Sequence, residues 1–176
     1  LANPTGELAG PAEWRAALGA PAPAAGATPV PALVVGASRR ELIAVRLDRD
    51  TPDADRWHVE AEVTAGPVLA ADLVLFGSGN EVRVLSAENG QARRSLPAPG
   101  AVLLAATVKG DSTALLSSDR HGERVLSVFD GRSRERLRIS AEGLLGAPAF
   151  FDGALLVPWA NGLLSAVDVS SDAERA

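Results

Sequence analysis

The chain has no cysteine, no methionine and no tyrosine among its 176 residues, and only two histidines, His58 and His121. Lack of cysteine excludes disulfides, thiolate zinc sites and cysteine nucleophiles together. Two histidines are too few for a multi-histidine metal centre. Lysine occurs once, as Lys109, against sixteen arginines; with the alanine excess, this points to coding bias more than to function. The formal charge of −5 argues against a nucleic-acid binder relying on phosphate attraction. No apolar run approaches the ~20 residues that a helix needs to cross a bilayer, and the first residues lack the basic and apolar regions of a signal peptide. Position 1 is leucine, which gives the expectation that the chain is a processed or excised piece.

What is present is ordinary in amount and distinctive in order. Hydrophobic residues make up 47% and charged residues 22%, close to the globular average, so one domain with a proper core is expected. Glycine and proline recur too often for long helices; residues 11–18 have room for about two turns of an isolated, marginal helix. Strand signals are clearer. Ala32 to Val35 ends at Gly36, and Leu42 to Leu47 follows. Asp72 to Phe76, the turn Gly77-Ser78-Gly79-Asn80 and the return Glu81 to Leu85 read as a hairpin, as do Ala154 to Val157, Ala160-Asn161-Gly162 and Leu163 to Val169. Glycine and asparagine supply the positive φ that tight hairpin turns require.

Internal repetition decides among sandwich, barrel and propeller. The strands returning from these hairpins end at Leu47-Asp48, Leu85-Ser86, Phe129-Asp130 and Val167-Asp168, with spacings of 38, 44 and 38. Small-residue lead-ins precede them: Pro29-Val30-Pro31, Gly66-Pro67-Val68, Gly100-Ala101-Val102 and Gly146-Ala147-Pro148. A period of ~40 residues with about four strands per unit is a propeller blade. The fold class expected is therefore all-β: four repeats of four-stranded antiparallel blades, in units of about 1–47, 48–85, 86–129 and 130–168 within a single domain, 1–176.

These residues resemble the pyrroloquinoline-quinone-type (PQQ-like) repeat β-propellers. The order Gly66-Pro67-Val68, Ala71-Asp72, Leu73 to Phe76, Gly77-Ser78-Gly79, Val82 to Ser86 and Asn89-Gly90-Gln91 follows that blade closely, and Gly146 to Val169 follows it again with Pro158-Trp159 at the first turn glycine. Leu1 to Leu8 looks like the third-to-fourth strand corner of a blade, and Trp14-Arg15 like its closing outer strand. Residues 1–18 are thus expected to complete the last blade. Two closures follow: a four-bladed ring within one chain, or half of an eight-bladed ring completed by a second copy or an adjoining segment.

The resemblance implies a non-enzymatic module for protein interaction, scaffolding or ligand sensing, similar to the propeller lipoprotein of the outer-membrane barrel-assembly machinery and to bacterial sensor propellers. It implies an extracytoplasmic, periplasmic or cell-surface, location, no cofactor and no direct membrane insertion. The alternative is a fragment of a quinoprotein dehydrogenase binding pyrroloquinoline quinone. Such enzymes need a calcium-binding carboxylate and amide cluster that is not evident here.

No catalytic, cofactor or metal residue is expected. Asp48, Asp130 and Asp168 recur at one blade position, where a carboxylate caps a turn by accepting backbone N–H groups two residues on. Blade widths separate them too far for paired acid–base work. Trp14 and Trp57 fall where the family's outer-strand tryptophan packs between blades. Trp159 is at a hairpin near the propeller face, a place for packing or for contacting a partner. Arg132, Arg134, Arg136 and Arg138 alternate, so a strand there carries all four on one face with Leu137 and Ile139 inward. That pattern suits a charged outer strand or an anion-facing patch, with Arg93-Arg94 and Arg39-Arg40 as contributors. Ser117, Asp119 and His121 share one hairpin tip, a solvated turn and not a triad.

Overall fold

The computed structural model describes residues 15–19, 32–47, 56–98, 102–119, 121–140 and 146–169. Every element among them is a β-strand, in four antiparallel meanders that follow one another along the chain. The first sheet contains β1 (Arg15–Gly19), β2 (Ala32–Ala37), β3 (Glu41–Leu47) and β4 (Arg56–Glu60). The second contains β5 (Ala65–Ala70), β6 (Leu73–Ser78), β7 (Glu81–Ser86) and β8 (Ala92–Pro97). The third contains β9 (Val102–Lys109), β10 (Ser112–Ser118), β11 (Arg124–Phe129) and β12 (Glu135–Ser140). The last has β13 (Ala149–Phe151), β14 (Ala154–Pro158) and β15 (Leu164–Asp168). The fold is a β-propeller arrangement of these sheets; the units expected from the sequence are cut one strand earlier, so β4, β8 and β12 each fall in the unit after the one that holds the rest of their sheet.

The N-terminal segment departs from expectation. Arg15–Gly19 is neither helical nor the outer strand of the last sheet; it is paired with β2, from Arg15 opposite Ala37 to Gly19 opposite Leu33. The remainder of the segment assigned to that closure, residues 1–14 with Trp14, lies outside the described residues, as does Asp48. The pairing has a physical reason. Arg15–Gly19 has no proline, so every N–H is free to enter a ladder, and closing the short connection to β2 costs less entropy than reaching a strand at the far end of the chain. The first sheet thereby gains the same inner strand that β5 and β9 give the next two.

Sheets are stacked face to face through three apolar clusters. Val35, Leu42 and Ala44 of the first meet Val74, Phe76 and Leu85 of the second. Leu75, Val84 and Leu96 meet Leu103, Leu115 and Phe129. Ala114, Leu116 and Val128 meet Leu155 and Val157 of the last. Strand burial records this order. β6 and β10 are buried on both faces, because a sheet lies on each side, whereas β3 and β14 alternate between buried and half-buried.

Candidate functional site

Consecutive antiparallel strands put alternate turns at opposite ends of the stack. One end carries Arg39-Arg40 between β2 and β3, the tip at Asp119 and His121 between β10 and β11, and Trp159 between β14 and β15. The other carries Arg132 and Arg134, between β11 and β12. Arg39-Arg40 therefore cannot join Arg132 and Arg134 in one anion-facing patch.

The arginine series itself is split. β12 begins at Glu135, so Arg132 and Arg134 belong to the preceding turn and only Arg136 and Arg138 to the strand. Leu137 and Ile139 do turn inward, packing on the third apolar cluster. The turn is built by Asp130. Its Oδ1 accepts the N–H groups of Arg132 and Arg134, both at 2.9 Å, and its Oδ2 accepts Arg136 Nε at 2.9 Å. These bonds, that from Arg134 foremost, hold the carboxyl below the ordinary aspartate range, and desolvation opposes them only in part. Asp119 makes the same turn: its Oδ1 accepts from His121 and Glu123 at 2.8 and 2.9 Å. Ser133 and Gly122, both at positive φ, close the two turns by donating to the carbonyls of Asp130 and Asp119. The His121 tip is thus a capped, solvent-facing turn, and the capping role expected at Asp130 is seen directly.

Among the described residues, the side chains of Trp57 and Arg94 cross between sheets. Trp57 of β4 is half-buried against the first cluster and donates from Nε1 to the carbonyl of Ala87, just beyond β7, at 3.0 Å. Arg94 of β8 donates from Nη1 to the carbonyls of Asp111 and Asp130 at 3.1 and 3.0 Å, and from Nη2 to Thr113 Oγ1. Arg94, expected to contribute to an anion-facing surface, is committed instead to joining the second sheet to the third. A repeat alignment carried the signal, since Trp57 opposite Ala44 and Arg94 opposite Val84 hold corresponding register positions. Trp159 is half-buried on the third cluster and donates from Nε1 to Ser165 Oγ at 2.8 Å, a packing position at the rim of the last sheet.

A concavity of about 870 Å³ lies where the β2–β3 turn meets the β4–β5 connection, and is lined by Arg39, Arg40, Glu60, Glu62 and Thr64 among others. The alternation of Glu60, Glu62 and Thr64, the mark of an extended segment showing one polar face, is the signal that would have added them to Arg39-Arg40. A second cleft, of about 40 Å³, lies between Pro97, Ala98 and Arg138; it has room for a few waters only. Among the described residues no three His, Asp or Glu side chains converge as a metal site would require.

No protein-family profile and no curated protein match the chain. Solved structures do. BamB from Moraxella catarrhalis is 18% identical over 76% of this chain and 39% of its own, with a TM-score of 0.50. The computationally designed Ika8 protein is 16% identical over 87% of this chain and 45% of its own, with a TM-score of 0.54. Hsv2 of Kluyveromyces lactis is 17% identical over 73% and 51%, with a TM-score of 0.54. The chain thus spans about two fifths to one half of these neighbours. At such identities the similarity defines a β-propeller fold and nothing finer.

Proposed function

We propose that the chain is a non-enzymatic propeller module of the extracytoplasmic space that binds a protein partner through charged edges and turns. The observation that carries this reading is the outer edge of the third sheet. There Arg132 and Arg134 stand exposed on a turn whose backbone Asp130 fixes, next to the exposed Arg136 and Arg138 on the β12 face opposite Leu137 and Ile139. A pre-set backbone presents guanidinium groups at low entropic cost, which suits recognition of carboxylates on a partner. Propeller-fold neighbours are consistent with an interaction role, and the resemblance to exported propellers supports the location. Fluorescent poly-glutamate is the probe. Binding that weakens with salt and falls several-fold in Arg132→Ala/Arg134→Ala, with the fold unchanged by circular dichroism, is expected. Equal binding by the variant would defeat the assigned edge, and turnover of alcohols or sugars with added pyrroloquinoline quinone and calcium would defeat the non-enzymatic reading.

A further inference from the structure

Each of the first three sheets presents an apolar face to the sheet that follows, and that face is almost wholly buried: Val35, Leu42 and Ala44 in the first, Leu75 and Val84 in the second, Ala114, Leu126 and Val128 in the third. The last sheet has a face of the same kind. Register puts Ala149, Leu156 and Ala166 in one row, Phe151, Ala154 and Asp168 in the next, and Pro158 with Leu164 in a third. Yet Phe151 is 68% exposed and Leu164 63%. At the other end of the stack, the side of the first sheet turned away from its neighbour has a half-buried apolar strip of Val34, Ile43 and Val45, bordered by Glu60 and the Glu41–His58 pair. No cluster among the described residues joins these two faces.

The sequence of the terminal sheets is written for more cover than they have. β2 (ALVVGA) and β14 (ALLVP) are as continuously apolar as β6 (LVLFGS), which is buried on both sides. A strand with one solvated face ordinarily alternates apolar with polar, and continuous apolar runs belong to strands covered twice. The faces differ in kind. One is of the sort that always packs forward in this chain, and the other of the sort that always packs backward. Their natural complement is each other, and that relation repeats the contact the chain makes three times internally.

We infer that two copies of the chain associate head to tail, the last sheet of each covering the first sheet of the other, so that two stacks close into one ring. The contact between last and first sheets occurs twice in the closed pair, the two instances being related by a two-fold axis. It is independent of the arginine edge proposed above, so either reading can fail alone.

The experiment is sedimentation of the full chain over a concentration series, with Leu164→Glu, Phe151→Glu and Ile43→Glu. The wild-type chain is expected at twice its 18.1 kDa. Leu164 and Phe151 are exposed, so those variants keep the fold, checked by circular dichroism. Each substitution falls in both interfaces of the ring, and at about tenfold per site the dissociation constant rises about a hundredfold. Ile43→Glu is expected to do the same. Mixing Leu164→Glu with Ile43→Glu restores one unaltered interface, and with it a population of pairs. A wild-type chain that stays monomeric overturns the inference. So does a dimer indifferent to Leu164→Glu and Phe151→Glu, or one broken by those and untouched by a folded Ile43→Glu.

Discussion

Gly90 is the sharpest test of how neighbouring sheets fit. It lies in the β7–β8 turn, is buried, and has φ +70. A Cβ built there would stand 2.7 Å from Cε3 and 2.8 Å from Cδ2 of Trp57, and 3.2 Å from Cγ2 of Val59. Trp57 cannot simply swing aside, because its Nε1 is bonded to Ala87 in the same turn. Gly90→Ala therefore carries two costs. The left-handed backbone costs a residue with Cβ about 1–2 kcal/mol, and overpacking a fitted contact adds about 1–3 kcal/mol. Gly79→Ala separates them, because its φ is +61 and nothing lies within 4 Å of the added carbon. Urea denaturation followed by tryptophan fluorescence measures both. Gly79→Ala is expected to lose the backbone share alone, and Gly90→Ala that share plus the packing cost. In a Trp57→Leu background the excess at Gly90 should largely vanish. Equal losses at Gly79 and Gly90, or an excess that survives Trp57→Leu, would refute the reasoning.

Arg94→Lys should destabilise by about 1–3 kcal/mol, since one ammonium cannot span two carbonyls and a hydroxyl and leaves a part-buried acceptor unpaired; urea midpoints of Arg94→Lys and the exposed control Arg93→Lys check this. Trp57→Phe keeps the ring in place but loses the bond to Ala87, at about 1 kcal/mol, read from the same curves. The Asp130 carboxyl titrates lower in the folded chain than in the unfolded one. Its contribution is therefore full above the ordinary aspartate range and is lost as pH falls through the folded value. Any stability gap between wild type and Asp130→Asn at neutral pH should close in acid, and NMR titration of the Arg132 and Arg134 amides should report the depressed value.

Much of this arrangement is legible in the sequence because it is local. Gly79-Asn80 turns β6 into β7 as expected, although only Gly79 takes the positive φ expected of both glycine and asparagine there. Leu137 and Ile139 pack inward because period two leaves them no other face. Asp130 caps its turn through bonds two and four residues away, well within reach of pattern reading. What escaped depends on distance along the chain. Arg94 is indistinguishable from a surface arginine until carbonyls 17 and 36 residues on are brought beside it. Likewise Arg15–Gly19 reads as a closing strand or a short helix, because nothing within five residues states which sheet edge is nearest. The split of the arginine series is a boundary effect: β12 starts at Glu135, three residues later than the alternation alone suggests.

Turns and sheet contacts differ in how strictly they repeat, and this difference fixes the order of the stack. The turns at Asp119 and Asp130 use one chemistry, a carboxylate accepting the same two amides. The position that reaches the next sheet does not repeat. It is Trp57 opposite Ala44, Arg94 opposite Val84 and Leu137 opposite Val128. Trp57 and Arg94 both donate to the carbonyl of the residue just beyond the third strand of the next sheet, Ala87 and Asp130. Leu137 cannot donate, and shares an apolar cluster with Val169, the residue in that place beyond β15. An indole needs the gap left by Gly90, a guanidinium needs Thr113 and two carbonyls, and a leucine needs an apolar neighbour. Each is unfavourable in either of the other two settings, by a buried unpaired group or by a clash. Sheets of one backbone pattern are thus kept from exchanging places by side chains that fit only one successor.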